Sequence, residues 1–288
     1  MEIAWIGAGA AILTLIIAYL QLCRTPKKSK EAKQKDTDKT PALKQILDNK
    51  SIIIGYFNYP PFIECFSDNS EPEGYYPSIF KEIAKKHNLN IQWKYVSIAN
   101  STEAILNKDV NIILSLFQTV RRVKVVDFCN LSHSVKVGGV AKKNLKGLTS
   151  LSDLVKSGLK IVVGKNEIGH EIVETTRISK NRLVIIDIEE VAKIVSFVET
   201  GQADIGILDS VSIRNFFGKY YTQKYETLKP IFQKSPLHMC LNGIMIPQNE
   251  HELANWIEQE VNIQRKVDYI EEMEKDFLEE YDNIIQRL

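Results

Sequence analysis

Short β-branched runs alternate with amphipathic stretches along most of the chain, starting at Ser51. Ser51–Gly55 has the composition of a strand, and the prolines at positions 60 and 61 end it. In Ser78–His87 the apolar residues recur every three or four positions, which predicts an amphipathic helix, and Asn90–Val96 returns to a strand pattern. This order of elements is a βαβ unit.

The same alternation continues to residue 247 and predicts a second αβ series like the first. The further predicted strands are Val110–Ser115, Val135–Ala141, Lys160–Gly164, Leu183–Ile186, Ala203–Leu208 and Asn242–Pro247. The predicted helices between them are Ser101–Asn107, Gly169–Thr176 and Glu189–Thr200. The serine, threonine and aspartate residues of Leu148–Leu154 are typical caps and predict one more short helix there. From Glu252 to Leu288 the pattern predicts a long acidic helix or a helix pair. We therefore expect an α/β protein with two lobes joined by two crossings of the chain.

The N-terminal segment departs from this pattern. Ile3–Leu22 contains no charged residue and is long enough to span a bilayer as a helix, so residues 1–23 are predicted to be a membrane anchor or a signal sequence. A retained anchor is favoured, because the run is long for a signal peptide and no positive charge precedes it. Residues 24–45 are rich in lysine and predict a solvated linker, although lysines beside a membrane helix tend to stay in the cytoplasm.

Overall composition narrows the classes of function. The 288 residues carry a formal net charge of +1, so a nucleic-acid partner is not expected. Beyond Cys23 the chain has Cys65, Cys129 and Cys240, an odd number that cannot all pair within one chain, and we expect buried, unreactive thiols. No cluster of cysteine and histidine has metal-ligand spacing, so neither a metal nor another cofactor is predicted.

Two short segments carry the most informative chemistry. Thr119–Phe128 places an arginine just after a strand of the buried type, and Gly201–Ser210 places an aspartate just after another. A guanidinium and a carboxylate at the ends of such strands can bind the two opposite charges of a zwitterion. An amino acid carries both charges.

With these segments the chain resembles the periplasmic binding proteins of the type II fold, in the branch that binds polar amino acids (family 3), over Leu47–Leu278. The landmarks stand in that family's order: Gly55 through Tyr59-Pro-Pro-Phe62, Gly74-Tyr-Tyr, Thr119–Phe128, Leu148–Leu154, Gly201–Asp209 and Gly243-Ile-Met-Ile. The resemblance implies a first lobe from residues 46–141 and 238–288 and a second lobe from residues 142–237. The ligand would lie between them, and closure would be a hinge motion.

The same resemblance implies roles for individual residues. Arg122 matches the arginine that binds the ligand carboxylate, Asp209 the aspartate that accepts the ligand ammonium group, and Tyr59 the aromatic residue that stacks on the ligand. The alternatives are a surface arginine that caps a helix and a tyrosine that simply packs on Phe62; Arg121 is expected to face solvent. Further candidates are the donors near the arginine at Ser115, Gln118 and Thr119, together with Glu167 and His170, which either face the ligand or cap the next helix.

The resemblance implies a receptor that hands an amino acid or a related small carboxylate to an ABC permease, with its soluble part outside the cytoplasm. Two alternatives stay open. A cyclohexadienyl-dehydratase-like enzyme of the same fold would need a general acid, for which Glu167 or Glu171 is available. A sensory ectodomain is suggested by the anchor and by the tail Glu279–Leu288, which extends beyond the usual end of the family and carries an apolar stripe.

Overall fold

The computed structural model describes residues 41–65, 71–188, 191–218 and 225–287, and for residues 130–132 the backbone alone. The predicted membrane helix over Ile3–Leu22 and most of the predicted linker lie outside these residues. From Pro41 onwards the chain forms one compact unit. None of the helices in the described ranges combines the length and the apolar composition needed to cross a bilayer.

Helices and strands alternate along this unit. The helices are α1 (Ala42–Asn49), α2 (Tyr75–His87), α3 (Ser101–Leu106), α4 (Leu151–Lys156), α5 (Ile168–Thr175), α6 (Ala192–Glu199), α7 (Ser210–Phe217), α8 (His251–Arg265) and α9 (Tyr269–Leu278). The strands are β1 (Ser51–Tyr56), β2 (Asn90–Tyr95), β3 (Ile112–Phe117), β4 (Val126–Lys142), β5 (Ile161–Gly164), β6 (Leu183–Ile186), β7 (Ile205–Asp209), β8 (Leu228–Ile231), β9 (His238–Pro247) and β10 (Ile285–Arg287).

A ten-stranded sheet runs through the unit in the order β2-β1-β3-β9-β4-β7-β5-β6, and β8 and β10 both pair with β4. β1 pairs in parallel with β2 and β3, and β5 pairs in parallel with β6 and β7. The long strands β4 and β9 pair antiparallel between these two parallel groups. We call residues 41–125 the first half and residues 151–218 the second half. The predicted α/β class with two similar series is confirmed.

Burial explains why the central strands form where they do. β3 is apolar apart from one serine, β5 is apolar throughout, and both are buried at every position, as parallel strands covered on two faces require. α2 buries Ile79, Phe80 and Ile83 on the face that its periodicity predicts. In the second half, a Cβ atom at Gly206 would lie 2.7 Å from Cγ2 of Ile194, so the glycine allows α6 to pack closely on β7.

Several predicted boundaries differ from the structure. α1 begins at Ala42, inside the segment predicted as a linker to residue 45. β4 begins at Val126 rather than at Val135, because its first residues pair with β9. The sequence pattern did not indicate α7 or β8; α7 follows β7 without any intervening loop, so no turn signal separates the two.

The predicted C-terminal helix ends earlier than expected. α9 stops at Leu278, a 3-10 turn covers Glu279–Tyr281, and β10 then pairs antiparallel with His133–Val135 of β4. Tyr281 and Ile285, the first residue of β10, are both buried. The edge of β4 offers unpaired backbone groups, and satisfying them outweighs the helical periodicity of the tail.

Candidate functional site

Arg122 lies in a short 3-10 turn that follows β3, and it is 4% exposed. Its Nη1 donates to the carbonyl oxygen of Phe117 at 3.0 Å, and its Nη2 donates to Oε1 of Glu167 at 2.6 Å. Its backbone N–H donates to the Thr119 hydroxyl at 3.3 Å. The alternative of an arginine on the surface is wrong, because the guanidinium is buried and paired with a carboxylate of the second half.

Glu167 stands immediately before α5, at the position where a side chain would cap that helix. Its side chain makes no capping hydrogen bond, and its carboxylate extends to Arg122 instead. The capping alternative is therefore wrong for this residue. A carboxylate of the chain itself bonds to the guanidinium that the sequence assigns to a ligand carboxylate.

Asp209 is the last residue of β7 and the N-cap of α7. Its Oδ1 accepts the backbone N–H of Ser212 at 2.8 Å, and its Oδ2 accepts the Ser212 hydroxyl at 2.6 Å. Burial raises the pKa of this carboxyl, and the hydrogen bonds from Ser212 and Tyr59 oppose that rise. The strand thus delivers a buried carboxylate that the helix N-terminus holds in place.

Tyr59 combines an aromatic contact with a hydrogen bond to the second half. Its ring packs on Phe62 with centroids 5.3 Å apart and also contacts Phe57 and Phe117. Its hydroxyl donates to Oδ1 of Asp209 at 2.8 Å. Burial, followed by the neighbouring Asp209, raises the pKa of Tyr59 well above its usual value, so the phenol stays a donor. The predicted packing on Phe62 is present, whereas the sequence did not indicate the bond to the aspartate.

The remaining candidates lie nearby but do not all contact Arg122. Ser115 donates to Oδ1 of Asn242 at 3.0 Å, and the backbone N–H of Gln118 donates to the carbonyl oxygen of Leu241 at 2.9 Å. The Thr119 hydroxyl accepts the backbone N–H of Arg122.

His170 occupies the first turn of α5 and is buried. Its Nδ1 accepts the backbone N–H of Asn166 at 3.0 Å, and its Nε2 lies 3.4 Å from Oε1 of Glu174. Burial lowers the pKa of this imidazole, and the charge of Glu174 opposes the shift. The bond to Asn166 satisfies a backbone donor just before the helix, which matches the capping alternative.

Three further contacts join the two halves and were missed by the sequence analysis. The backbone N–H of Val120 donates to Glu171 at 2.6 Å, and Arg121, which is exposed as expected, pairs with Glu174 at 2.6 Å. The side-chain amide of Asn215 donates to the carbonyl oxygen of Pro60 at 2.6 Å. Pairs between residues so far apart in sequence leave no spacing signal in a single sequence.

The cysteines take no part in these contacts. Cys65, Cys129 and Cys240 are free, and burial raises the pKa of the last two thiols to about 12. Such thiols hold little reactive thiolate. Cys65 is only half-buried, which differs from the expectation of three buried thiols. Within the residues that the structure describes, no group of three acidic, histidine or cysteine side chains is placed to hold a metal ion.

The arrangement suits recognition of a small charged molecule. A buried guanidinium from the first half and a buried carboxylate from the second half lie where the two halves meet, each bonded to a residue of the opposite half. The model of the bacterial extracellular solute-binding proteins, family 3, matches residues 52–280. The chain belongs to this family.

Solved structures of solute-binding proteins share the fold of this family member at low sequence identity. Tv2483 bound to L-arginine has a TM-score of 0.70 at 15% identity, covering 84% of this chain and 96% of its own. The cysteine-binding protein from Campylobacter jejuni has a TM-score of 0.68 at 19% identity, covering 86% and 100%. The substrate-binding protein of an amino acid ABC transporter has a TM-score of 0.64 at 16% identity, covering 79% and 99%. A comparison with curated protein sequences gave no significant match.

Proposed function

We propose that this solute-binding protein is a receptor, not an enzyme, which binds an amino acid or a related small carboxylate and delivers it to an ABC importer. The observation that carries the proposal is the burial of Arg122 and Asp209 where the two halves meet. A zwitterion placed between them would bond to both halves at once. Ligand binding would then stabilise the closed arrangement by its differential contacts.

Each site residue has a role in this proposal. Arg122 would bind the ligand carboxylate through the planar fork that lysine lacks. Asp209 would accept the ammonium group, and the Tyr59 ring would contact the ligand side chain. The neighbouring candidates Ser115, Gln118, Thr119, Glu167 and His170 would shape the surroundings of these groups.

The two lobes of the receptor would have the limits that the sequence predicts. Residues 46–141 and 238–288 would move as one lobe and residues 142–237 as the other, with the hinge in β4 and β9, the long strands that link the two parallel groups. The bonds between the first and second halves would then be those that form on closure.

The relatives support the ligand class. Tv2483 and the cysteine-binding protein both bind amino acids, and a third relative serves an amino acid ABC transporter.

The apolar segment Ile3–Leu22 would tether this receptor to the membrane, with the solute-binding domain outside the cytoplasm. Protease treatment of intact cells, which removes only an outward-facing domain, tests that placement.

The dehydratase alternative receives no comparable support. Its candidate acids, Glu167 and Glu171, both accept hydrogen bonds from donors of the first half, Arg122 and the Val120 N–H. Both carboxylates are thus bonded to the chain itself, whereas a general acid must be placed to reach the substrate.

A thermal-shift screen of the full chain against the twenty amino acids and small dicarboxylates tests the receptor function. A ligand at about 100 times its Kd should raise Tm by roughly 5–10 °C. Asp209→Asn and Arg122→Lys should lose this shift. The control Asp204→Asn should keep it, because the exposed Asp204 carboxylate accepts the Lys160 N–H in a turn away from Arg122 and Asp209. An equal shift in Asp209→Asn, or no shift with any compound, would contradict the proposal.

A further inference from the structure

The ion pair between Arg122 and Glu167 is unlike the other contacts between the halves. Its two side chains are 5% and 15% exposed. The comparable pair of Arg121 with Glu174 has the same length of 2.6 Å, but its side chains are 49% and 43% exposed. Exposed pairs are screened and contribute little, whereas a buried pair is costly to break on one side only. Of these two ion pairs, the Arg122 pair is therefore the one whose disruption should cost more.

Glu167 presents to Arg122 the same chemical group that a carboxylate ligand would present. One guanidinium nitrogen already donates to the Phe117 carbonyl and another to Glu167. An incoming carboxylate that forms a bidentate bond through Nη2, the nitrogen that donates to Glu167, would have to approach Arg122 beside the Glu167 carboxylate and would compete with it for that nitrogen. Holding both would place two carboxylates on one guanidinium in a buried site, where like charges repel strongly.

The position of Glu167 makes this competition intramolecular. It belongs to the second half and Arg122 to the first, so their bond joins the halves. The ends of the competing segment are fixed by β5 and α5, which keeps the carboxylate at a high effective concentration.

We propose that Glu167 is a specificity-determining residue that occupies the anion position on Arg122, so that the cleft closes on its own carboxylate and every carboxylate ligand binds only by displacing it. This inference rests on the proposed function for the identity of the ligand position, but the occupation of Arg122 can be tested by itself. It predicts that removal of the side chain creates a site for a free carboxylate.

Acetate is the probe for this test, with Glu167→Ala and the matched control Glu174→Ala in the full chain. We expect acetate to raise the Tm of Glu167→Ala in a saturable manner, because it replaces the lost group on the buried guanidinium. Wild type and Glu174→Ala should show no such rise beyond that of equal concentrations of sodium chloride. A response to acetate that is the same in all three proteins would overturn the proposal.

Glu167→Gln provides a second route if the alanine variant does not fold, since glutamine keeps the shape and one acceptor oxygen. Amide hydrogen exchange at Val120, whose N–H bonds across the halves to Glu171, should be faster in this variant than in wild type. Any amino acid that binds wild type should bind Glu167→Gln about tenfold more tightly or better. Unchanged exchange together with unchanged affinity would overturn the proposal.

The outcomes separate the two proposals. Saturable rescue by acetate without binding of any amino acid would support the role of Glu167 and contradict the amino-acid receptor. Amino-acid binding of equal strength in wild type and both Glu167 variants, without rescue, would support the receptor and contradict the role of Glu167.

Discussion

The hydroxyl of Tyr59 donates a 2.8 Å hydrogen bond to Asp209, a carboxylate that lies 150 residues further along the chain and in the other half of the molecule. Asp209 is also held by two donors of Ser212, so its buried charge is solvated by protein groups from both halves. The contact ties the aromatic group of the candidate site to the acid that would bind the ligand ammonium group.

Tyr59→Phe should lower the free energy of unfolding by about 1.5–3 kcal/mol, the usual contribution of a hydrogen bond to a charged group. The ring contacts with Phe62 remain, so the loss reports the hydroxyl alone. Urea unfolding of Tyr59→Phe, Asp209→Asn and the double variant gives the coupling energy. Strictly additive effects of the two substitutions would show that the bond contributes nothing.

The raised pKa of Asp209 should make the free energy of unfolding depend on pH. Burial raises its pKa in the folded state above the ordinary value of an aspartate, despite the opposing bonds from Ser212 and Tyr59. Because the folded state binds this proton more tightly than the unfolded state, protonated Asp209 contributes stability that is complete below about pH 3.9 and is lost as the pH rises through the folded-state pKa. Asp209→Asn should remove this decline. Unfolding curves between pH 3 and 7 test it, and an unchanged slope in the variant would contradict it.

Gly74→Ala should destabilise the turn that carries Tyr59. Gly74 has φ of +111°, and a Cβ atom there would lie 2.8 Å from the carbonyl oxygen of Pro61. We expect a loss of about 1–3 kcal/mol, measured by urea unfolding. Gly147→Ala is the matched control, because Gly147 also has positive φ, at 78°, but nothing lies within 4 Å of the added atom. Equal losses in the two variants would show that backbone strain alone acts at Gly74.

The sequence predicted those helices and strands whose type follows from the local pattern of apolar residues. The central strands β3 and β5 are apolar throughout or nearly so, and α2 keeps a strict 3.6-residue period, so their type and approximate position follow from burial. Arg122 follows β3 and Asp209 ends β7, and both side chains lie where the halves meet.

The partners of those residues could not be predicted in the same way. Glu167 lies 45 residues from Arg122 in the sequence, and Tyr59 lies 150 residues from Asp209. Only the folded arrangement shows that the buried guanidinium and the buried carboxylate each bond to another side chain of the same chain. The end of the chain was mispredicted for the same reason. Its periodicity favours a helix, but the edge of β4 is available for pairing and β10 forms there.

Asp153 should titrate at a pKa of about 2, well below its ordinary value of 3.8, because the Thr149 hydroxyl and the donors of Ser150 bond to its carboxylate. Its contribution to stability is complete above about 3.8 and is lost as pH falls through about 2. Thr149→Val removes the largest cause and should raise this pKa towards 3.8. Carboxyl carbon shifts in an NMR titration give the value. A pKa that does not move in the variant would contradict the assigned cause.

Tyr281→Phe should show that the C-terminal tail contributes to the contact between the halves. The buried Tyr281 hydroxyl donates to Oδ1 of Asn215 at 2.6 Å, and the amide of Asn215 donates in turn to the carbonyl oxygen of Pro60. Loss of the hydroxyl leaves the Asn215 oxygen without this donor, which should cost about 1–3 kcal/mol in urea unfolding. Tyr269→Phe is the control, because its bond to the carbonyl oxygen of Ser78 is long, at 3.3 Å, and half-buried. A loss at Tyr281 no larger than at Tyr269 would mean that the tail does not support Asn215, and that its bond to Pro60 forms without help from the tail.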